Sequence, residues 1–207
     1  MSRQSQPKAL RPRKDPSQAR AAETVASIIE AAAQILETEG LQGFNTNAIA
    51  QRAGVSIGSV YQYFPGKDAL TVALIKRETA RFHDDAAMAL GKRSGKAALE
   101  YLIGAAVRQQ LQRPMLARLL DLEETRPALR GETVKSDAMT TLLLTIVKRA
   151  RPTLEHPEMA TADVMAIIKG MVDAAGERGE NDIDSLEIRV RAGVFGYLSR
   201  AALRRTT

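Results

Sequence analysis

Apolar residues recur along this chain with the period of a helix, broken at intervals by glycine and proline. Val25, Ile28, Ile29, Ala32, Ile35 and Leu36 share one face of a stretch over residues 17–39, and Gly40 is placed to end it. The opposite side carries Glu23, Glu30, Glu37 and Glu39, so this helix is expected to support its neighbours without lying along a polyanion. Leu41 and Phe44 then lead into two short elements. Thr46 is expected to cap a helix with Ile49, Ala50 and Ala53 facing inward, and Gly54 to end it in a left-handed conformation. Val55 would plug the corner, and Ser56 would cap a second helix whose inward face is Val60 and Phe64. Further helices are marked off over residues 67–89, 95–112, 114–124, 127–150, 157–177 and 184–204. No alternating β-branched run and no internal repeat interrupts the pattern, so the fold class is expected to be all-α.

The register of the second short helix leaves Ile57, Gly58, Ser59, Tyr61, Gln62 and Tyr63 pointing outward. Exposed tyrosines and an isoleucine on so small a helix call for a partner. Helix, glycine turn and helix is the arrangement whose second member enters the major groove of DNA. The residue types suit that role. The Thr46 hydroxyl and the Tyr61 and Tyr63 phenols match phosphate oxygens, while Asn47 and Gln62 carry the paired donor and acceptor that reads adenine. Ile57 suits a thymine methyl, Gly58 admits the backbone close to the bases, and Lys67 supplies a point charge for phosphate. The bland alternative is an ordinary helix surface on a small bundle.

The run AGVSIGSVYQYFPGKDAL resembles the signature of the TetR family of transcriptional repressors. Its matching features are Ile49-Ala50, the Ala53-Gly54-Val55 turn, Tyr61 followed by Phe64, and Lys67 three residues later; the likeness covers residues 24–74. It implies an N-terminal three-helix helix-turn-helix domain and a C-terminal helical domain for ligand binding and dimerisation. It implies phosphate contacts at Thr46, Tyr61 and Lys67, and base readers drawn from Asn47, Ile57, Gly58, Ser59, Gln62 and Tyr63, with Ser56 completing the DNA-binding set. Gly66 departs from the pattern, since Ser, Asn or Asp would cap the next helix better; Asp68 still places negative charge in its first turn.

Composition adds a few bounds. The net charge of +6 is concentrated at the front, where Arg3, Lys8, Arg11, Arg13, Lys14 and Arg20 face Asp15 alone. Residues 1–16 are therefore expected to be a disordered basic arm, available to phosphates or to a minor groove or else merely solubilising, ahead of a DNA-binding domain over 17–66 and an effector and dimerisation domain over 67–207. No cysteine is present, which excludes disulfides, thiolate zinc sites and cysteine nucleophiles. No apolar run approaches the roughly 20 residues that cross a bilayer, and the N-terminus lacks a signal-peptide core, so a soluble cytoplasmic protein without membrane contact is expected.

In the rear part, the resemblance places a small-molecule pocket among the helices between residues 95 and 124, the linking helix and the helix from residue 127. Candidate linings are Phe82, Met88, Tyr101, Met115, Leu119 and Met139, with Arg118 or Glu123 to select charge. Methionines at helical spacing are equally consistent with core filler. Ala162, Ala166, Gly170 and Ala174 recur every fourth residue, and with Val190, Gly193, Val194 and Tyr197 they form the candidate dimer interface; the alternative is packing within one chain. The resemblance implies a four-helix interface between two copies, hence two reading heads and a palindromic operator. His83, Asp84 and Asp85 point in different directions around a helix and suggest solvated charge, so no metal and no cofactor is expected.

The function that follows is a ligand-responsive DNA-binding regulator, a repressor that a small-molecule effector releases from its operator. A helical enzyme is the competing class, but with two histidines and no cysteine it lacks an evident catalytic set. An effector-independent architectural or interaction protein is the third. Deleting residues 1–16 is expected to weaken binding to every duplex and to flatten the slope of log affinity against log salt; an unchanged slope excludes a DNA role for the arm.

Overall fold

The computed structural model describes residues 19–124, 126 and 137–201. Among these residues the secondary structure is helical throughout, with no strand: α1 (Ala19–Gly43), α2 (Thr46–Ala53), α3 (Ile57–Tyr63), α4 (Lys67–Leu90), α5 (Gly95–Gln112), α6 (Pro114–Glu124), α7 (Asp137–Ala150), α8 (Pro157–Glu177) and α9 (Ile183–Ala201). None of these helices is long and apolar enough to cross a membrane. The expected basic arm, the first residues of the helix from residue 17, residues 127–136 of the expected seventh helix and residues 202–204 of the last one lie outside the described residues.

Two compact units divide the chain, and the first extends past the expected boundary at residue 66. Among the described residues it comprises 19–78 together with 119–124 and 126. In it α1 packs on α2 and α2 on α3. Ile28, Ala32, Ile35 and Leu36 of α1 are fully or almost fully buried, as are Phe44, Ile49, Val60, Phe64, Leu70 and Leu74. Gly40 breaks α1 as the sequence suggests, its φ of 65° carrying the chain out of the helical region before a further turn to Gly43.

Among the described residues the second unit comprises 79–118 and 137–201, with α5 at its centre against α7, α8 and α9. α5 is buried on most sides through Ala98, Leu99, Leu102, Ile103 and Val107, consistent with a helix whose sequence is apolar nearly all round. Its start lies hard against α7: a Cβ on Gly95 would come within 2.1 Å of the Ala150 nitrogen, so only glycine fits there. Arg149 fastens the same corner by donating to the Leu90 and Lys92 carbonyls, both at 2.8 Å.

The pairing of α8 with α9 corrects part of the expected dimer surface. Val190 and Val194 are fully buried in the core of this chain, in a row with Leu186 and Leu198. Gly193 is also used within the chain, since an added Cβ would stand 3.3 Å from Met171 Sδ and 3.4 Å from Ile167 Cγ2. What remains outward is Ala162, Ala166 and Gly170 on α8, Ala192 and Gly196 on α9, and the exposed side chains of Met159 and Ile188. Ala174 is half-buried.

Tyr197, also half-buried, ties α9 to α8 by donating its hydroxyl to an Asp163 carboxylate oxygen. That bond, followed by burial and the Asp163 charge, pushes the phenol up to about 12. Because the folded value lies above the unfolded one of about 10, the tie is fully present below pH 10 and is lost as pH rises from 10 toward 12. Tyr197→Phe is expected to cost about 1 kcal/mol in urea unfolding near neutral pH and to flatten the decline above pH 10; an unaltered alkaline profile would contradict this assignment.

Candidate nucleic-acid interface

The candidate interface is built on the α2–α3 corner, and its construction starts one residue earlier than the sequence suggests. Asn45, not Thr46, caps α2: its Oδ1 accepts the Ala48 N–H at 2.9 Å, while its Nδ2 donates to the Gly43 carbonyl at 3.0 Å. Both residue types cap well, so the sequence does not rank two neighbours. Thr46 thereby becomes the first helical residue, and its Oγ1 lies 3.2 Å from the Tyr61 hydroxyl, joining the start of α2 to the middle of α3. Gly54 then turns the chain with φ of 68°, and the Val55 N–H bonds the Ala50 carbonyl at 3.0 Å. Ser56 caps α3 as expected, accepting the Ser59 N–H at 3.0 Å, and its Oγ also lies 2.8 Å from Ser59 Oγ.

The inward face of α3 is wider than Val60 and Phe64. Tyr63 is buried as well, with 7% of its surface exposed, and is therefore not free to read bases. Residues 60, 63 and 64 follow the i, i+3, i+4 rule of a buried stripe; the phenol at the middle position disguises it in the sequence. Outward stand Ile57, Gly58, Tyr61 and Gln62 of α3 and Asn47 and Gln51 of α2, with Tyr61 43% exposed. Gly58 is informative. A Cβ there would meet only Ser56 Oγ, at 3.7 Å, so nothing inside the chain requires a glycine at that position. A glycine there leaves the α3 backbone open on its outward side.

Charge is arranged to the same end. From Gly40 to Gly66 the chain carries one charged residue, Arg52, and no carboxylate. The two carboxylates that border this stretch are each engaged by an arginine: Glu39 by Arg52 at 3.0 Å, and Asp68 by Arg126 at 3.0 Å. Lys67, at the start of α4, is half-buried, with Nζ 3.5 Å from the Leu41 carbonyl and 5.3 Å from the centre of the Phe44 ring. A contact of 3.5 Å is at the outer limit of a hydrogen bond, so the ammonium is loosely held.

The candidate effector residues are scattered in character. Met88 and Met115 are largely exposed, at 60% and 47%, and Arg118 is exposed too, which is not how the walls of a closed pocket look in a single chain. Phe82 and Met139 pack at the edge of the second unit's core, and Tyr101 does so while donating to Met88 Sδ at 3.7 Å. Leu119 is half-buried. Glu123 is 5% exposed and is committed to an ion pair with Arg126, so it is not a free selector of ligand charge.

Helix, left-handed glycine and helix, with an exposed and carboxylate-free face on the second, define a helix-turn-helix DNA-binding protein. The family model described as bacterial regulatory proteins, tetR family, matches residues 28–74, the stretch that holds this corner. The HTH-type transcriptional repressor DrrR1 of Streptomyces coeruleorubidus is 31% identical over 143 residues, 69% of this chain and 49% of that protein. This chain thus spans about half the length of that relative. YobS of Bacillus subtilis, an HTH-type transcriptional regulator, is 26% identical over 177 residues, 83% of this chain and 91% of that one. The fold is shared with the solved fatty acid degradation regulator FadR of Bacillus halodurans at a TM-score of 0.74 and 20% identity, covering 88% of this chain and 97% of that one. All three are named as regulators and none as an enzyme.

Gly58→Ala separates the two possible reasons for that glycine. The change is expected to raise the unfolding midpoint, worth up to about 1 kcal/mol from helix propensity, while weakening binding to the preferred duplex. Tyr63→Ala should instead lower stability by about 3 kcal/mol, with base preference in the surviving folded fraction intact. Calorimetry beside a binding titration reads both, and a Gly58→Ala protein that binds as tightly as the parent would remove the close-approach argument.

Proposed function

We propose that the chain acts as a homodimeric, ligand-responsive transcriptional repressor in the cytoplasm, reading a palindromic double-stranded operator with α3. The observation that carries this reading is the outward face of Asn47, Ile57, Gly58, Tyr61 and Gln62, which presents base-reading and phosphate-binding groups without a carboxylate among them. Thr46, Tyr61 and Lys67 take phosphate oxygens. Asn47 and Gln62 read base edges, Ile57 a thymine methyl, and Gly58 lets the α3 backbone come close. Ser56 and Ser59 sit at the helix N-terminus, where their hydroxyls can turn from each other to the duplex.

Support for two copies comes from the rear. Ala162, Ala166, Gly170, Ala192 and Gly196 are small and outward, and Met159 and Ile188 add apolar surface that is 59% and 67% exposed. Such rows let helices approach closely, and a two-fold pairing of α8 and α9 with their copies would bury them. Two heads on one face of the duplex then meet successive major grooves, about 34 Å apart. The effector acts by favouring a conformer in which the heads no longer match that spacing, with α4 as the continuous element between the reading head and the second unit. Coupling of this kind is reciprocal, so operator DNA weakens effector binding by the same factor. The repressor name carried by DrrR1 supports the sign of regulation.

Selecting duplexes from a random pool tests this reading. The expected product is an inverted repeat with half-sites one helical turn apart or a multiple of it, preferred over unrelated DNA by about a thousandfold or more. Gln62→Ala should relax preference at one base position per half-site, with about 1 to 3 kcal/mol lost, whereas Lys67→Ala should weaken all duplexes and lower the salt slope by about 1. Similar affinity for unrelated duplexes would favour an architectural role and reject the repressor.

A further inference from the structure

The unit that carries the reading head recruits residues from well beyond it in sequence, and one of them bears on DNA binding. Arg126 follows α6, yet its Nη2 lies 3.0 Å from Asp68 Oδ1 in the first turn of α4, while its Nη1 is bonded to Glu123. The Arg126 N–H also bonds the Glu123 carbonyl at 3.0 Å, which fixes the arginine's backbone. The bonds that the guanidinium donates to the Glu123 and Asp68 carboxylates raise its pKa, with the Glu123 bond the larger cause and burial opposing it, so the cation is permanent. Asp68 is the residue after Lys67 and the first carboxylate that follows the acid-free stretch. Its side chain is 39% exposed.

From these positions a conflict arises that Arg126 resolves. A carboxylate in the first turn of α4 favours the helix, because it faces the positive end of the helix dipole. The same carboxylate opposes a phosphate brought to Lys67. We propose that Arg126 is a positioning residue for DNA binding: by holding the Asp68 carboxylate it keeps that charge from repelling the phosphate that Lys67 takes. The chain thus retains the helix-starting benefit of Asp68 while its DNA-facing end stays permissive. The proposal rests on the reading of Lys67 and α3 as the DNA-binding surface.

The test is a cycle of substitutions, read by titrating the duplex that the parent protein prefers. Arg126→Gln is expected to weaken binding about three- to tenfold at low salt, and the loss should shrink as salt is raised, because the unmasked repulsion is screened. Adding Asp68→Asn in the same chain should return affinity to within about twofold of the parent. A purely structural role for Arg126 would not be rescued by removing its partner's charge. Since losing Arg126 strands the buried Glu123 carboxylate, the cycle is repeated with Glu123→Gln present throughout, and thermal unfolding confirms that each protein is folded. The proposal is overturned if Arg126→Gln binds as well as its parent, or if the Asp68→Asn double variant binds as weakly as the single one. A parent protein that prefers no duplex would instead overturn the DNA-binding reading, and this inference with it.

Discussion

A helix of seven residues has no stability of its own, so α3 exists because Val60, Tyr63 and Phe64 are buried beneath it. Each such side chain contributes about 1.5 to 3 kcal/mol when taken out of water, enough together to hold a helix that propensity alone would not form. That burial fixes the rotation of α3 about its axis. Once residues 60, 63 and 64 face inward, residues 57, 58, 61 and 62 have nowhere to point but outward, and the exposed face of α3 follows from the core beneath it. Gly54 supplies the other half of the constraint, since its left-handed backbone sets the direction in which α3 leaves α2.

The surroundings of that corner keep it usable. An arginine stands beside each carboxylate at its border, and the hydroxyls of Thr46 and Tyr61 hold each other at 3.2 Å. Two carboxylates of α1 are engaged in ion pairs: Glu30 with Arg77 at 2.9 Å and Glu39 with Arg52. These exposed or half-exposed pairs each contribute little to stability. Their value lies in where they leave positive and negative charge.

Much of this was legible in the sequence, for physical reasons that differ from element to element. α5, α6 and α8 begin and end where expected because Gly95, Pro114 and Pro157 punctuate the chain at their starts. Gly54 and Ser56 announced the corner through the special conformation of one and the capping hydroxyl of the other. Tyr63 is ambiguous in the sequence since a phenol is at home in a core or on a surface, and only its spacing from Val60 and Phe64 betrays the core. The burial of Val190 and Val194 within the chain is hidden for a different reason: periodicity tells which residues share a face, not what covers it. The Glu123 and Arg126 pair lies at helical spacing and is visible in the chain, whereas the link from Arg126 to Asp68 spans 58 residues and is not.

The central claim is that the outward face of α3 meets the major groove, and the absence of cysteine from the chain allows a direct measurement of it. A single Gln62→Cys protein carrying a DNA-cleaving iron chelate should cut the preferred duplex at two symmetric clusters centred about one helical turn apart, or a multiple of it. The same label at Gln34→Cys, on the exposed side of α1, should cut weakly or not at all. Cleavage scattered evenly along any duplex, or stronger from residue 34 than from residue 62, would contradict the account.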